Sequence, residues 1–231
     1  MTVKEKFYPF GEQRGAMVES MAKPDKTPQK RTRIQAKNRQ LIVDAALGVF
    51  SAYGFRGTTL DQIADAASMS KPNLLYYFRR KEDVYLAVLE HTLDDWLEPL
   101  RALDAGGDPI GEIRLYIERK LDMSRAAPEA SRVFANEMLH GAPVLGETLA
   151  GPLKTLVDEK AAVIRRWVAE GRLAPIDPHH LIFSIWATTQ HYADFDVQVR
   201  AVLGERAEGN AHFDDARRFL DALFLDGLRP R

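Results

Sequence analysis

Cysteine is absent from all 231 residues, which rules out disulfides, thiolate nucleophiles and thiolate-held metals. Long apolar runs are missing too, and nowhere do the roughly 18 consecutive apolar residues of a membrane-spanning helix occur. The first residues, MTVKEKFYPFGEQRGAMVES, lack the apolar centre of a signal peptide. The expectation is a chain with no membrane partner whose default location is cytoplasmic. Sustained alternation of apolar and polar residues is also lacking, so strands are not expected and an all-α fold is. Among the six histidines there is no His-Glu-x-x-His pattern, and neither a nucleophile elbow nor a glycine-rich phosphate loop occurs. No metal and no cofactor are expected.

What is present is unevenly distributed. A formal net charge of −1 conceals residues 23–39, KPDKTPQKRTRIQAKNR, with seven Lys or Arg against one Asp, an arm suited to a polyanion. Helical periodicity then takes over. A first helix is predicted from about Lys37 to Tyr53, with Leu41, Ile42, Ala45, Ala46, Val49 and Phe50 on one stripe, and it stops at Gly54. Thr58 or Thr59 can cap a short second helix, with Asp61 and Gln62 at capping-box spacing. Ser68-Met69 turns the chain, Ser70 is placed to cap a third helix through Tyr77, and Pro72 is tolerated in its first turn. Three short helices, the last two joined by a turn, make a helix-turn-helix pattern. Longer helices are predicted near 82–103, 109–126, 128–140, 146–171, 178–197 and 213–228. The first of these connects the two halves without a Gly or Pro until Pro99.

The segment GFRGTTLDQIADAASMSKPNLLYYFRRKEDVYLAVL, residues 54–89, resembles the TetR family of transcriptional repressors. The resemblance rests on the Gly-Phe after helix 1, the Thr-Thr opening helix 2, its internal Ile-Ala, and Leu-Tyr-Tyr-Phe followed by Lys81-Glu82. Two later segments, ASRVFANEMLHGAP and APIDPHHLIFSIWATTQHYADF, are similar to the members of that family that respond to uracil and control pyrimidine use. What the resemblance implies is an extension and basic arm over 1–34, a DNA-binding domain over 35–81, and a ligand-binding and dimerisation domain over 82–231. The expected partners are double-stranded DNA, a second copy of the chain and a small planar effector, uracil or thymine. An unrelated small molecule is the alternative effector.

In a helix-turn-helix the second helix enters the major groove by its N-terminal residues. Here these are Ser70, Lys71, Pro72 and Asn73. Lys71 can donate to guanine, and Asn73 can present its amide to a base or a phosphate. Lys71 also opposes the helix dipole, a cost of a few tenths of a kcal/mol that a DNA partner would offset. Tyr76 and Tyr77 end the helix, and either has the alternative of packing inward. The resemblance implies that Tyr77, Lys81 and Thr58 clamp phosphates, while an arm containing Arg31 and Arg33 reaches a neighbouring minor groove. Since one such unit buries too little surface for specific recognition, a dimer on a palindrome is expected. In the last helix Phe213, Ala216, Leu220, Leu223, Phe224 and Gly227 form the stripe expected to meet the partner or the chain's own core.

The stretch IWATTQHYADF, residues 185–195, crowds polar atoms into a segment that should be buried. His191 and Asp194 are three apart, as in a general-base pair, but no nucleophile lies beside them except Ser184 two turns earlier, so an enzyme is the weaker reading. On a helix Phe183, Trp186 and Gln190 share one face, and Ile182, Ile185, Thr189 and Tyr192 another, expected to face a cavity and a core or partner respectively. A buried unpaired amide costs about 1–3 kcal/mol, so Gln190 needs a protein or ligand partner. A primary amide matches uracil with two antiparallel hydrogen bonds, and Trp186 offers the ring a flat surface. The amide alone does not reject cytosine, because it can flip. A second, fixed group must do that, either a backbone N–H or a residue of SRVFANEMLHGAP such as Phe134, Glu137 or Met138, expected to face the same cavity.

Overall fold

The structure is a computed structural model in which residues 27–230 are described; the side chains of residues 27–32, Arg31 among them, lie outside the described residues, as do residues 1–26. The chain divides at Ala36. Lys37–Arg231 is one compact unit.

Helix α1, Thr27–Gly57, begins earlier than its apolar stripe predicts, because the stripe reports only the part that packs. Ile42, Val43, Ala46, Val49 and Phe50 are buried, whereas Leu41 faces solvent. Regular helix ends at Gly54, whose φ of 66° lies in the left-handed region that glycine enters without penalty. Helix α2 (Leu60–Ala66) is closed by a capping box: the Gln62 N–H donates to Thr59 Oγ1 at 3.2 Å, and the Thr59 N–H to Gln62 Oε1 at 2.7 Å. Ser68 makes the tight turn with φ 54°, a conformation that costs a non-glycine residue roughly 1–2 kcal/mol. The turn is held by the Met69 N–H on the Ala64 carbonyl at 2.9 Å. Ser70 then caps helix α3 (Lys71–Tyr77), accepting from the Asn73 N–H at 3.4 Å.

Helix α4 (Lys81–Arg101) carries Pro99 in its last turn. Helices α5 (Pro109–Ala126) and α6 (Pro128–Leu139) follow, the first capped by Asp108. The single helix predicted over 146–171 is broken up. A helical turn, α7 (Gly146–Thr148), widens into a π-helical turn at Leu149–Leu153 before α8 (Lys154–Ala169) resumes. Gly151-Pro152 accounts for the widening, since proline has no N–H to donate and its ring crowds the preceding turn. Helix α9 (Pro178–Asp194) is capped by Asp177 and stops at Phe195, short of the predicted end, and α10 (Asp196–Leu203) leaves from there. A 3-10 segment leads into α11 (His212–Leu228). Every element among the described residues is helical.

Two apolar clusters hold the compact unit. One gathers Ile42, Phe50, Ile63, Leu74 and Phe78 of the helix-turn-helix with Val84, Val88 and Leu89 of α4, and Val133 and Leu145 close it. The other gathers Leu100 at the far end of α4 with Ile113 and Ile117 of α5, Ile164 and Trp167 of α8, Ile185 of α9 and Leu220 of α11. Each fully buried side chain of this size contributes about 1.5–3 kcal/mol. Helix α4 is the one whose two ends sit in both clusters.

Candidate functional site

At the helix-turn-helix, local bonds leave one face of α3 open. Ser70, Lys71, Pro72, Asn73 and Tyr76 are exposed. Lys71 Nζ lies 2.9 Å from Asp61 Oδ2, an exposed ion pair that ties α3 to α2 and that a phosphate or base edge can replace. Of the two tyrosines, Tyr77 packs inward: it is half-buried against the core, and its hydroxyl accepts from Asn38 Nδ2 at 2.8 Å. Tyr76 stands out, edge-on to Tyr77 with 5.1 Å between ring centres. Arg33 is exposed on α1.

Two residues expected to clamp phosphates are used inside the fold. Thr58 is buried, and its hydroxyl donates to the Gly54 carbonyl at 2.8 Å, so it has no free face for DNA. Lys81 Nζ donates to the carbonyls of Phe55 at 2.6 Å and Thr58 at 2.8 Å and sits 4.5 Å above the Phe55 ring, spending two of its three donors on the α1–α2 turn. The reason is the same for both. The turn after Gly54 leaves carbonyls that no helix satisfies, and these side chains satisfy them.

The second site is a cavity of about 40 Å³ between α4, α5, α6 and α9, lined by Trp96, Lys120, Phe134, Leu153, Trp186 and Gln190, among others. This is space for about three or four waters at about 10–15 Å³ each, so a larger molecule must open it further. Trp186 Nε1 donates to the Tyr116 hydroxyl at 2.5 Å, which fixes the indole as a wall. Burial raises the Tyr116 phenol well above its ordinary pKa, so the hydroxyl stays protonated. Phe134 and Gln190 also line a wider groove of about 410 Å³ with Arg132, Met138 and Asp194. Phe134 and Gln190 thus stand between groove and cavity. The Gln190 amide makes no hydrogen bond with the described residues.

Some candidates from the sequence fall outside the cavity. The Glu137 carboxylate instead accepts from the Val144 N–H at 2.6 Å and the Leu145 N–H at 3.2 Å, holding the turn in which Gly141 and Ala142 take positive φ. It is occupied as a structural tie. Met138 lines only the groove, and Phe183 is half-exposed, packing on Trp186 from outside at 5.7 Å between ring centres. The α9 face holding Ile182, Ile185 and Thr189 is core of this chain. The exposed apolar side chains of α9 are on another stripe, Phe183 and, just past the helix end, Phe195, while α11 exposes Phe219 and Leu223. Phe213, Ala216 and Leu220 of the last helix point into the chain's own core.

Lys120 was missed. It is 2% exposed, lines the cavity, and places Nζ 3.9 Å from the centre of the Trp96 ring. Burial pushes its ammonium down to about 7, with Asp194 pulling in the opposite direction. The signal was its helical phase. Ile113, Tyr116, Ile117, Lys120, Leu121 and Ser124 form the buried stripe of α5, which turns the lysine inward. Asp194 is likewise raised, by burial first, although it accepts a short hydrogen bond from the buried Ser131 hydroxyl. His191 stacks on Phe195 with 5.1 Å between ring centres, and the hydroxyl that Asp194 accepts from is that of Ser131 and not of Ser184. His179 pairs with Asp158 at 3.1 Å, and among the described residues no cluster of acids and histidines has metal-binding geometry.

Residues 42–88 match the family described as "Bacterial regulatory proteins, tetR family", and residues 89–231 match "YcdC-like protein, C-terminal region". The HTH-type transcriptional regulator RutR of Escherichia coli (strain K12) is 50% identical over 206 residues, covering 89% of this chain and 97% of RutR. The chain belongs to the TetR family. It is a DNA-binding transcriptional regulator. Among solved structures, the ketosteroid transcriptional regulator of Mycobacterium tuberculosis superposes with a TM-score of 0.65 over 84% of this chain and 95% of its own, at 19% identity. AibR in complex with isovaleryl coenzyme A and operator DNA gives 0.61 over 81% and 98%, at 17% identity. At these identities the superpositions establish the fold of the regulator. No helix among its described residues is long and apolar enough to cross a membrane.

Proposed function

We propose that this TetR-family regulator is a homodimeric, cytoplasmic repressor that leaves a palindromic operator when uracil or thymine enters the cavity between Trp186 and Gln190. The DNA-binding residues are Ser70, Lys71, Pro72, Asn73 and Tyr76 on the open face of α3, with Tyr77 at its rim and Arg31 and Arg33 in the basic arm. The exposed apolar side chains Phe183, Phe195, Phe219 and Leu223 supply the partner-facing surface.

The observation that carries the reading is the double use of α4. Its Leu93, Trp96 and Leu97 line the cavity, while its Val84, Val88 and Leu89 pack into the helix-turn-helix core. A ring that opens the cavity pushes on the helix that also holds α3. Because the empty cavity is small, effector binding and helix displacement are one event. Taking such an equilibrium from about 1:99 to 99:1 requires about 5.5 kcal/mol of differential affinity, within reach of two ligands per dimer. On this reading the regulator binds its effector without turning it over; Asp194, the carboxylate nearest a general-base role, is engaged by Ser131.

Calorimetric titration with uracil, thymine and cytosine, on the wild type and on Gln190→Ala, tests this. Uracil or thymine is expected to give saturable heat that Gln190→Ala weakens by tenfold or more. Absence of heat with all three rings leaves a regulator of an unrelated small molecule.

A further inference from the structure

A different pocket lies where the helix-turn-helix meets the helices that follow it. Its volume is about 190 Å³, and its walls come from α1, α4, α5 and α6. Val43, Val88, Trp96 and Ala130, each at most 6% exposed, give it an apolar lining. Among the described residues, Trp96 alone is shared with the cavity beside Gln190. An engineered apolar cavity of about 150 Å³ takes up benzene, so a ring-sized molecule fits here without opening the fold.

The carboxylates of Asp44 on α1 and Asp95 on α4 stand at the exposed mouth of this pocket, and no Lys or Arg lines it among the described residues. Gln40 Nε2 donates to Asp44 Oδ1 at 2.8 Å, and His91 Nε2 lies 3.7 Å from Asp95 Oδ2. The other oxygen of each carboxylate has no hydrogen bond from the described residues. A third polar group is buried in the wall. Thr92 is 5% exposed and lines the pocket, yet its hydroxyl makes no hydrogen bond with the described residues. A helical threonine ordinarily bonds the carbonyl one turn back, as Thr189 does on α9 with the Ile185 carbonyl at 2.7 Å. Leaving a buried hydroxyl unpaired is costly, and a ligand in the pocket would supply the missing partner. Asp44, His91 and Asp95 do not come together as metal ligands, so the complement to this mouth is an organic cation.

We propose that this pocket is a second ligand site, for an organic ammonium carried on a ring-sized apolar body, with the ring against Val43, Val88 and Trp96 and the cation beside Asp44 and Asp95. An ammonium has three donors and no acceptor, and the open carboxylate oxygens and the Thr92 hydroxyl are acceptors for them. A neutral molecule of the same shape keeps the apolar contact and loses the attraction between charges, and an anionic one is repelled. The site is independent of the effector reading above and stands whether or not uracil binds elsewhere. Its ligand touches both α1, which opens the helix-turn-helix, and α4, whose far end lies in the other core.

The test is calorimetry on the full-length protein with benzylamine, benzyl alcohol and benzoate as probes, at low salt and at about 0.15 M. The proteins are the wild type, Thr92→Val, and a double variant carrying Asp44→Asn with Asp95→Asn, with thermal melts as the fold control. Wild type should bind one benzylamine per chain, about fivefold or more tighter than benzyl alcohol, as two exposed ion pairs allow. Benzoate should give no saturable heat, and the preference for the amine should shrink as salt is added. The double variant should bind amine and alcohol alike and melt close to wild type, since Asn keeps the shape of Asp and removes the charge. Thr92→Val should weaken benzylamine about threefold and melt no lower than wild type, because the hydroxyl it removes has no partner in the fold. Equal binding of amine and alcohol by wild type overturns the proposal, as does an amine preference that survives in the double variant. Benzylamine binding that Thr92→Val leaves unchanged, or that never saturates in wild type, overturns it too.

Discussion

The helix-turn-helix end and the cavity end of the protein treat their polar side chains in opposite ways. Around α2 and α3 they find protein partners: Thr58 on Gly54, Thr59 with Gln62, the Asn73 N–H on Ser70, and Lys81, from the start of α4, on the carbonyls of Phe55 and Thr58. Around α5 and α9 two long side chains, Lys120 and Gln190, are turned inward with no hydrogen bond from the described residues. At the first end the polar side chains named have partners within the protein. At the second these two face a small open space, and α4 joins the two ends.

The largest effect that would break this contrast lies at Lys120. Replacement by Met removes the burial penalty of the ammonium and should stabilise the protein by a few kcal/mol near pH 7, by the roughly 1.4 kcal/mol that each pKa unit represents. The sign follows from the direction of the shift. The folded pKa is pushed from 10.5 to about 7, so between those values the unfolded chain holds a proton that the folded one has lost, and wild-type stability rises with pH. Lys120→Met should be flat across that window in chemical denaturation at stepped pH. A variant less stable than wild type would mean that Lys120 is satisfied after all.

A smaller effect is expected at Lys81. Met there leaves two carbonyls of the α1–α2 turn without a donor and should cost about 2 kcal/mol, seen as a lower denaturation midpoint, with little change in the salt dependence of DNA binding. A changed salt slope with unchanged stability would return Lys81 to the phosphate-contacting set.

The smallest stability change belongs to Lys71, whose exposed pair with Asp61 is worth about 0–1 kcal/mol. Lys71→Ala should leave the melt almost untouched. Its effect should appear in binding, as a drop of about 1 in the slope of log affinity against log salt if the partner is a phosphate, or as relaxed discrimination at one base pair if it is guanine. Anisotropy titrations of operator and random DNA at several salt concentrations separate these results.

The same contrast explains which residues the sequence disclosed. The Thr59–Gln62 box, the Ser70 cap and the left-handed Gly54 were legible because their partners lie within a few positions along the chain. The place of Gln190 beside Trp186 in the cavity followed from helical spacing. Glu137 and Phe183 were misplaced because spacing gives a face and not what that face meets. The carboxylate found two N–H groups in a following turn, and the ring stayed outside. Thr58 and Lys81 carry the family's motif, but the motif did not reveal that their hydrogen bonds turn back into the chain.

By itself, then, the sequence determined the all-helical chain, the helix-turn-helix with its caps, and the family, since these depend on short-range periodicity and on side chains that bond to their own neighbourhood. Only the tertiary structure decided the chemistry of the cavity. Trp96 and Asp194 flank Lys120 from helices far apart in the chain, and what a buried lysine does depends on whether folding brings it an acceptor. Here folding brings it an aromatic face and an open space.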